Sequence, residues 1–122
     1  MFHRLIDQKS NGRATINLQT FVSGTSGITF GLPVIFNHGF VNFNPLTSYF
    51  DCGVYLINSV AERGYVPGNV ITPFKGVTLE INSTQLIAHI EDGGVFFIRK
   101  DNGKDAKISP NRWNLIIKAI AV

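Results

Sequence analysis

Alternation with a period of two residues, in short segments along the chain, most limits what this sequence can fold into. In Asp51–Val60, Cys52, Val54 and Leu56 fall on one side, with Asp51, Tyr55 and Ser59 opposite. Gly76–Ile81 sets Val77, Leu79 and Ile81 against Thr78 and Glu80, and Thr84–Asp92 opposes Leu86, Ala88 and Ile90 to Ile87, His89 and Glu91. Ala14–Val22 puts Ile16, Leu18 and Thr20 on one face, with Asn17 and Gln19 on the other. Side chains of a strand point to its two faces in turn, so each segment reads as a β-strand. No window carries the i, i+3, i+4, i+7 apolar stripe of an amphipathic helix.

Twelve glycines and five prolines cut the chain into these short pieces. Gly94–Lys100 reads as a short strand running into "DNGKD", where Asn102-Gly103 signals a turn. Asn111–Val122 closes the chain with a β-rich run. Strands spaced by about 8 to 12 residues point to an all-β fold, an antiparallel β-sandwich with little or no helix. A length of 122 residues with 44% hydrophobic content suits one domain, placed at 13–122. Residues 1–12 read as an N-terminal arm whose Phe2, Leu5 and Ile6 suit docking on a partner.

Several function classes lose support at this level. The net charge is +3 and the basic residues are scattered, apart from Arg99, Lys100, Lys104 and Lys107. Nucleic-acid binding calls for a denser stripe, so no nucleic-acid partner is expected. No apolar run reaches the roughly 18 to 20 residues of a membrane helix, and the N-terminus lacks the apolar core of a signal peptide. No membrane partner is expected either. His3, His38 and His89 share no metal-ligand spacing, and a single cysteine excludes a Cys-based zinc site. Cys52, on the apolar side of its strand, reads as a small core hydrophobe. His89 pairs on paper with Glu91, and His38 reads as a turn residue at a strand edge. The eight acidic residues show no spacing that suggests two facing carboxylates, and Gly64 and Gly68 lack the Lys-Ser/Thr of a phosphate loop. Neither catalytic residues, nor a metal site, nor a cofactor is assigned.

The segment "NSVAERGYVPGNVI", Asn58–Ile71, interrupts the alternation. Pro67 suits position i+1 of a turn and Gly68 position i+2, which favours type II geometry. Gly64 permits backbone angles that other residues resist. Trp113 reads as a core plug at the start of the last strand, with Leu115 and Ile117 on its face. In "LIIKAIAV", Ile116, Ile120 and Val122 make the opposite face apolar as well. A strand apolar on both faces is usually covered on both, so these three are expected to form an oligomer interface.

In order, "NHGF" with Pro45, "FDCGVYLINSVAERGYVPGNVI" and "ISPNRWNLIIKAIAV" resemble a small β-sandwich module of phage and prophage tail proteins. That module has an HGL-type turn, a GY-x-x-GD loop and an NW-containing last strand. The resemblance covers roughly residues 36–122 and rests on His38-Gly39, Pro45, Gly64-Tyr65, Gly68 and Trp113. Asn69 stands where the module usually has an aspartate, which weakens any inherited cation-binding role. The architecture is also similar to H-type lectin domains. The resemblance implies a non-enzymatic bacteriophage virion protein: a tail-associated (fibre, baseplate or receptor-binding) or surface-exposed module, made in the bacterial host cytoplasm. It further implies a homotrimer or homohexamer, joined to other tail proteins through the arm. The alternative is a lectin-type module that binds host surface glycans through Tyr49, Arg63, Tyr65, Asn69, Phe74 and His89. A glycan-degrading enzyme ranks last.

Overall fold

A computed structural model describes residues 18–122, which form nine strands and one short 3-10 turn. In chain order they are β1 Gln19–Val22, β2 Val34–Asn37, β3 Phe50–Asn58, β4 Val70–Ile71, β5 Val77–Ile81, β6 Gln85–Ile90, β7 Phe96–Ile98 and β8 Asp105–Lys107. The 3-10 turn Pro110–Arg112 then leads directly into β9, Trp113–Ala121. The strands make a four-stranded sheet in the order β1-β9-β3-β4, a three-stranded sheet β2-β6-β5, and the hairpin β7-β8, all antiparallel. The fold is an all-β antiparallel sandwich, as the period-two pattern predicts.

The pairing of β3 with β9 is the spine of the molecule, running in unbroken register from Phe50↔Ala121 to Asn58↔Trp113. Residues paired across an antiparallel ladder point to the same side. Phe50, Cys52, Val54 and Leu56 therefore share the inner face with Ala121, Ala119, Ile117 and Leu115. Leu56, Trp113, Leu115 and Ile117 are buried, and Cys52 and Val54 pack against them half-buried. From the other sheet Leu86, Ala88 and Ile90 of β6 enter the same core, with Val77, Leu79 and Ile81 of β5 beside them. Val95, Phe97 and Ile108, in or beside the β7-β8 hairpin, close one end.

β1 differs from the face drawn from its sequence. Residues 14–17 and the arm at 1–12 lie outside the described residues. Gln19 pairs with Ala121 and Phe21 with Ala119, both inward-facing on β9, so Phe21 packs on the core. Thr20 and Val22 pair with Ile120 and Lys118 and face outward, and Leu18 is likewise exposed. Register with β9, and not the local run of apolar residues, decides the orientation. The "DNGKD" hairpin closes with Arg99 N–H donating to Lys104 O at 2.7 Å and with Gly103 at φ +72°. No helix among the described residues is long and apolar enough to cross a membrane.

Candidate functional site

Between β3 and β4 the chain makes two tight turns in succession. In Glu62–Tyr65, Arg63 and Gly64 both have positive φ, +54° and +92°, and Glu62 and Tyr65 exchange backbone hydrogen bonds at 2.9 and 3.1 Å. This is a two-residue turn of type I′. The carbonyl of Arg63 accepts the amides of Lys100 and Asp101, at 3.1 and 3.3 Å, and so latches the turn onto the tip of the β7-β8 hairpin. A Cβ on Gly64 would lie 2.8 Å from the Asp101 amide nitrogen, so only glycine permits this approach.

The second turn, Val66–Asn69, has Gly68 at φ +94° and the Asn69 N–H donating to Val66 O at 3.0 Å. These values match the type II geometry expected from Pro67-Gly68. Asn69 Oδ1 accepts the Val66 amide at 3.0 Å, closing its own turn. A neutral amide does this as well as a carboxylate.

Beneath the two turns lies an aromatic cluster. The Tyr65 ring packs against Phe97 and Trp113, each with centroids 5.5 Å away, and its hydroxyl donates to Ile98 O at 2.6 Å. Trp113 is only 1% exposed, and its Nε1–H donates to Glu62 Oε2 at 2.8 Å. The Glu62 carboxylate also accepts the Ser109 amide at 3.1 Å and the Ser109 hydroxyl. Partial burial alone would push the Glu62 carboxyl up. The Ser109 bonds, the Trp113 indole and the nearby Arg112 charge outweigh it and hold the group below its ordinary value. Arg112 Nη1 donates to Ala61 O at 2.7 Å, and Asn58 Nδ2 spans the carbonyls of Val60 and Arg112. Glu62 is therefore the hub joining this loop to the start of β9. It carries no signal in the sequence, because its partners lie far along the chain.

His38 is buried, 5% exposed, and does more than mark a strand edge. Nδ1 accepts the Phe40 amide at 3.0 Å, so Nε2 carries the proton and donates to Asn82 O at 2.9 Å. The ring stacks on Phe40 and meets Phe43 edge-on. Gly39, at φ +69°, turns the chain back so that this contact can form. Pro45 occupies position i+1 of a turn closed by the Thr47 N–H donating to Asn44 O at 3.0 Å.

The remaining candidates for ligand contact are carried on separate elements. Tyr49, exposed, precedes β3, and its carbonyl accepts the Val122 amide. Phe74, exposed, lies between β4 and β5 and packs edge-on to Phe96. His89 stands on the outer face of the three-stranded sheet. Its Nε2 lies 2.7 Å from Glu80 Oε1 on the neighbouring strand, which replaces the expected pairing with Glu91. Of the six, the Tyr65 hydroxyl, Asn69 Oδ1 and His89 Nε2 are engaged within the fold, while Arg63, exposed, shares the loop of Tyr65 and Asn69.

The outer face of the four-stranded sheet carries Ile116 and Ile120, with Val122 just beyond the end of β9. Around Ile120 lies a shallow groove of about 280 Å³ reaching Thr20, Val22, Asp51, Tyr55 and Lys118. At its floor is Gly53, over which the Tyr55 side chain leans, its hydroxyl oxygen 3.2 Å and its ring 3.3 Å from where a Cβ would stand. Lys118 Nζ sits 5.0 Å from the centroid of that ring. Burial, and then the neighbouring Asp51 carboxylate, push the Cys52 thiol up, so it stays protonated. Among the described residues no group of three His, Cys, Asp or Glu side chains could hold a metal ion. No family model matches this chain, and neither a curated protein nor a solved structure matches it.

Proposed function

We propose that this chain is a non-enzymatic virion structural protein, a tail-associated or surface-exposed phage module that assembles as a homo-oligomer. The observation that carries the proposal is the difference between the two outer sheet faces. The three-stranded sheet presents Asn37, Thr78, Glu80, Gln85 and His89 outward, with Ile35 and Ile87, and His89 and Glu80 form a hydrogen-bonded pair across it. The four-stranded sheet presents Val22, Tyr55, Ile57, Val70, Ile116 and Ile120 outward, with Thr20, Asp51, Asn114 and Lys118 interspersed, so apolar side chains make up the larger share of this face. A sheet already buried on its inner face normally shows a polar outer one, so an apolar outer face favours contact with another subunit.

The likeness of "NHGF", the GY loop and the "NRW" strand to tail modules supplies the virion context, and the N-terminal segment supplies the attachment to other tail proteins. Mass spectrometry of purified phage particles, with a gene-deleted control, tests this. The expected result is the chain present at a constant copy number per particle, and its absence from particles would refute the proposal. The lectin alternative draws on the exposed rings of Tyr49 and Phe74. Binding on a glycan array that is abolished by Phe74→Ala or Tyr49→Ala would favour it.

A further inference from the structure

The geometry points to the outer face of the β1-β9-β3-β4 sheet as a self-complementary interface for a second copy of this chain, with Lys118 of each copy meeting Asp51 of the other. The inference rests on the homo-oligomer reading above and specifies the surface and the charge pairing it uses. Lys118 and Asp51 are the cation and the anion of this face. Across the β3-β9 ladder Asp51 pairs with Ile120 and Gly53 with Lys118. The two charged residues are thus offset by one strand and two residues, roughly 8 Å on ordinary sheet spacings.

A two-fold axis lying in the contact plane, crossing midway between them, places each Lys118 over the Asp51 of the other copy. Two-fold contacts are isologous, so the pairing occurs twice. Within the chain both charges are held for such use. Lys118 lies against the Tyr55 ring, and Asp51 accepts the amide of Cys52. Among the described residues the close contacts between basic and acidic side chains are elsewhere, His89–Glu80 and Arg99–Asp101. Around the two charges the face is apolar, with Ile120 between them and Val22, 64% exposed, at the edge.

Size sets the expected strength. β3 and β9 have nine residues each, and β1 and β4 flank only part of their length. Such a face is roughly 30 Å by 15 Å, so a pair of copies buries on the order of 900 Å². That falls below the 1,200 Å² or so of stable complexes and predicts a concentration-dependent contact.

Sedimentation of the full chain over a wide concentration range tests the inference with Asp51→Lys, Lys118→Asp and the double exchange. Either single change is expected to weaken association about tenfold, and the double exchange to restore it. Val22→Glu, at an exposed edge position, should weaken it as well. Association that persists unchanged in both single variants, or a double exchange no better than either, overturns the inference and leaves the homo-oligomer proposal standing. A wild-type chain that stays monomeric throughout overturns both the inference and the self-assembly part of the proposal, while particle composition separately decides the virion part.

Discussion

Replacing Glu62 by alanine removes the acceptor on which the two-turn loop and the start of β9 converge. Three donors lose their partner: the Trp113 indole, the Ser109 amide and the Ser109 hydroxyl. The hydroxyl can rotate to another acceptor. The indole and the amide cannot, and each donor stranded away from water costs about 1–3 kcal/mol. Trp113 is almost wholly buried whereas Ser109 is partly accessible, so the sum is about 3 kcal/mol. For a domain of this size that is a fall of roughly 12 °C in Tm. Urea unfolding should show the loss as a lower midpoint at unchanged slope. Glu62→Gln keeps one accepting oxygen and should lose about half as much. In a double-mutant cycle with Trp113→Phe, a coupling of about 1–2 kcal/mol is expected. The pH dependence has a definite sign, because the folded carboxyl titrates below its unfolded value. Its contribution is fully present above the ordinary glutamate pKa of about 4.3 and fades as pH falls through the lower folded value. A Glu62→Ala variant within about 0.5 kcal/mol of wild type at neutral pH would refute the hub role.

Four further substitutions test the same network and its surroundings. Gly64→Ala meets both a positive φ and the Asp101 backbone, whereas Gly68→Ala meets only the positive φ in open space. Thermal unfolding should therefore show Gly64→Ala more destabilising by at least about 1 kcal/mol. His38→Phe keeps the stacking but orphans the Phe40 amide and the Asn82 carbonyl, and chemical denaturation should show a loss of about 2 kcal/mol. His89→Ala removes an exposed pair with Glu80, so stability by the same measurement should stay within about 0.5 kcal/mol.

What was legible followed from locality. β5, β6 and the β3 and β9 faces could be read because an inward residue and its outward neighbours are adjacent in the chain. The Pro67-Gly68 turn was legible for the same reason, its geometry being set by Pro67 and Gly68 themselves. The ligand candidates fared differently. Tyr65 looks like an exposed loop aromatic in the sequence, yet its ring turns inward because Phe97 and Trp113 stand beside it. His89 and Glu91 share a strand face, but residues two apart on one strand are separated by roughly 6.8 Å, further than a cross-strand neighbour. Glu80 takes the partnership for that reason. Glu62 carried no local signal at all, since an isolated acid in a loop has no period.

The sequence by itself determined that this chain makes short strands, where most of them lie, which side of β3, β5 and β6 is apolar, and that β9 is apolar on both. Those properties depend on neighbouring residues and the two-residue period of a pleated strand. Only the tertiary structure decided that β1 presents Phe21 to the core, because that depends on its register with β9. It alone placed Glu62 under Trp113 and buried His38 between Phe40 and Asn82, contacts that close long loops. It also gathered Val22, Tyr55, Val70, Ile116 and Ile120 from four strands onto one outer face. A sheet face is assembled across strands by backbone hydrogen bonding, so its character appears only once the strand order is known.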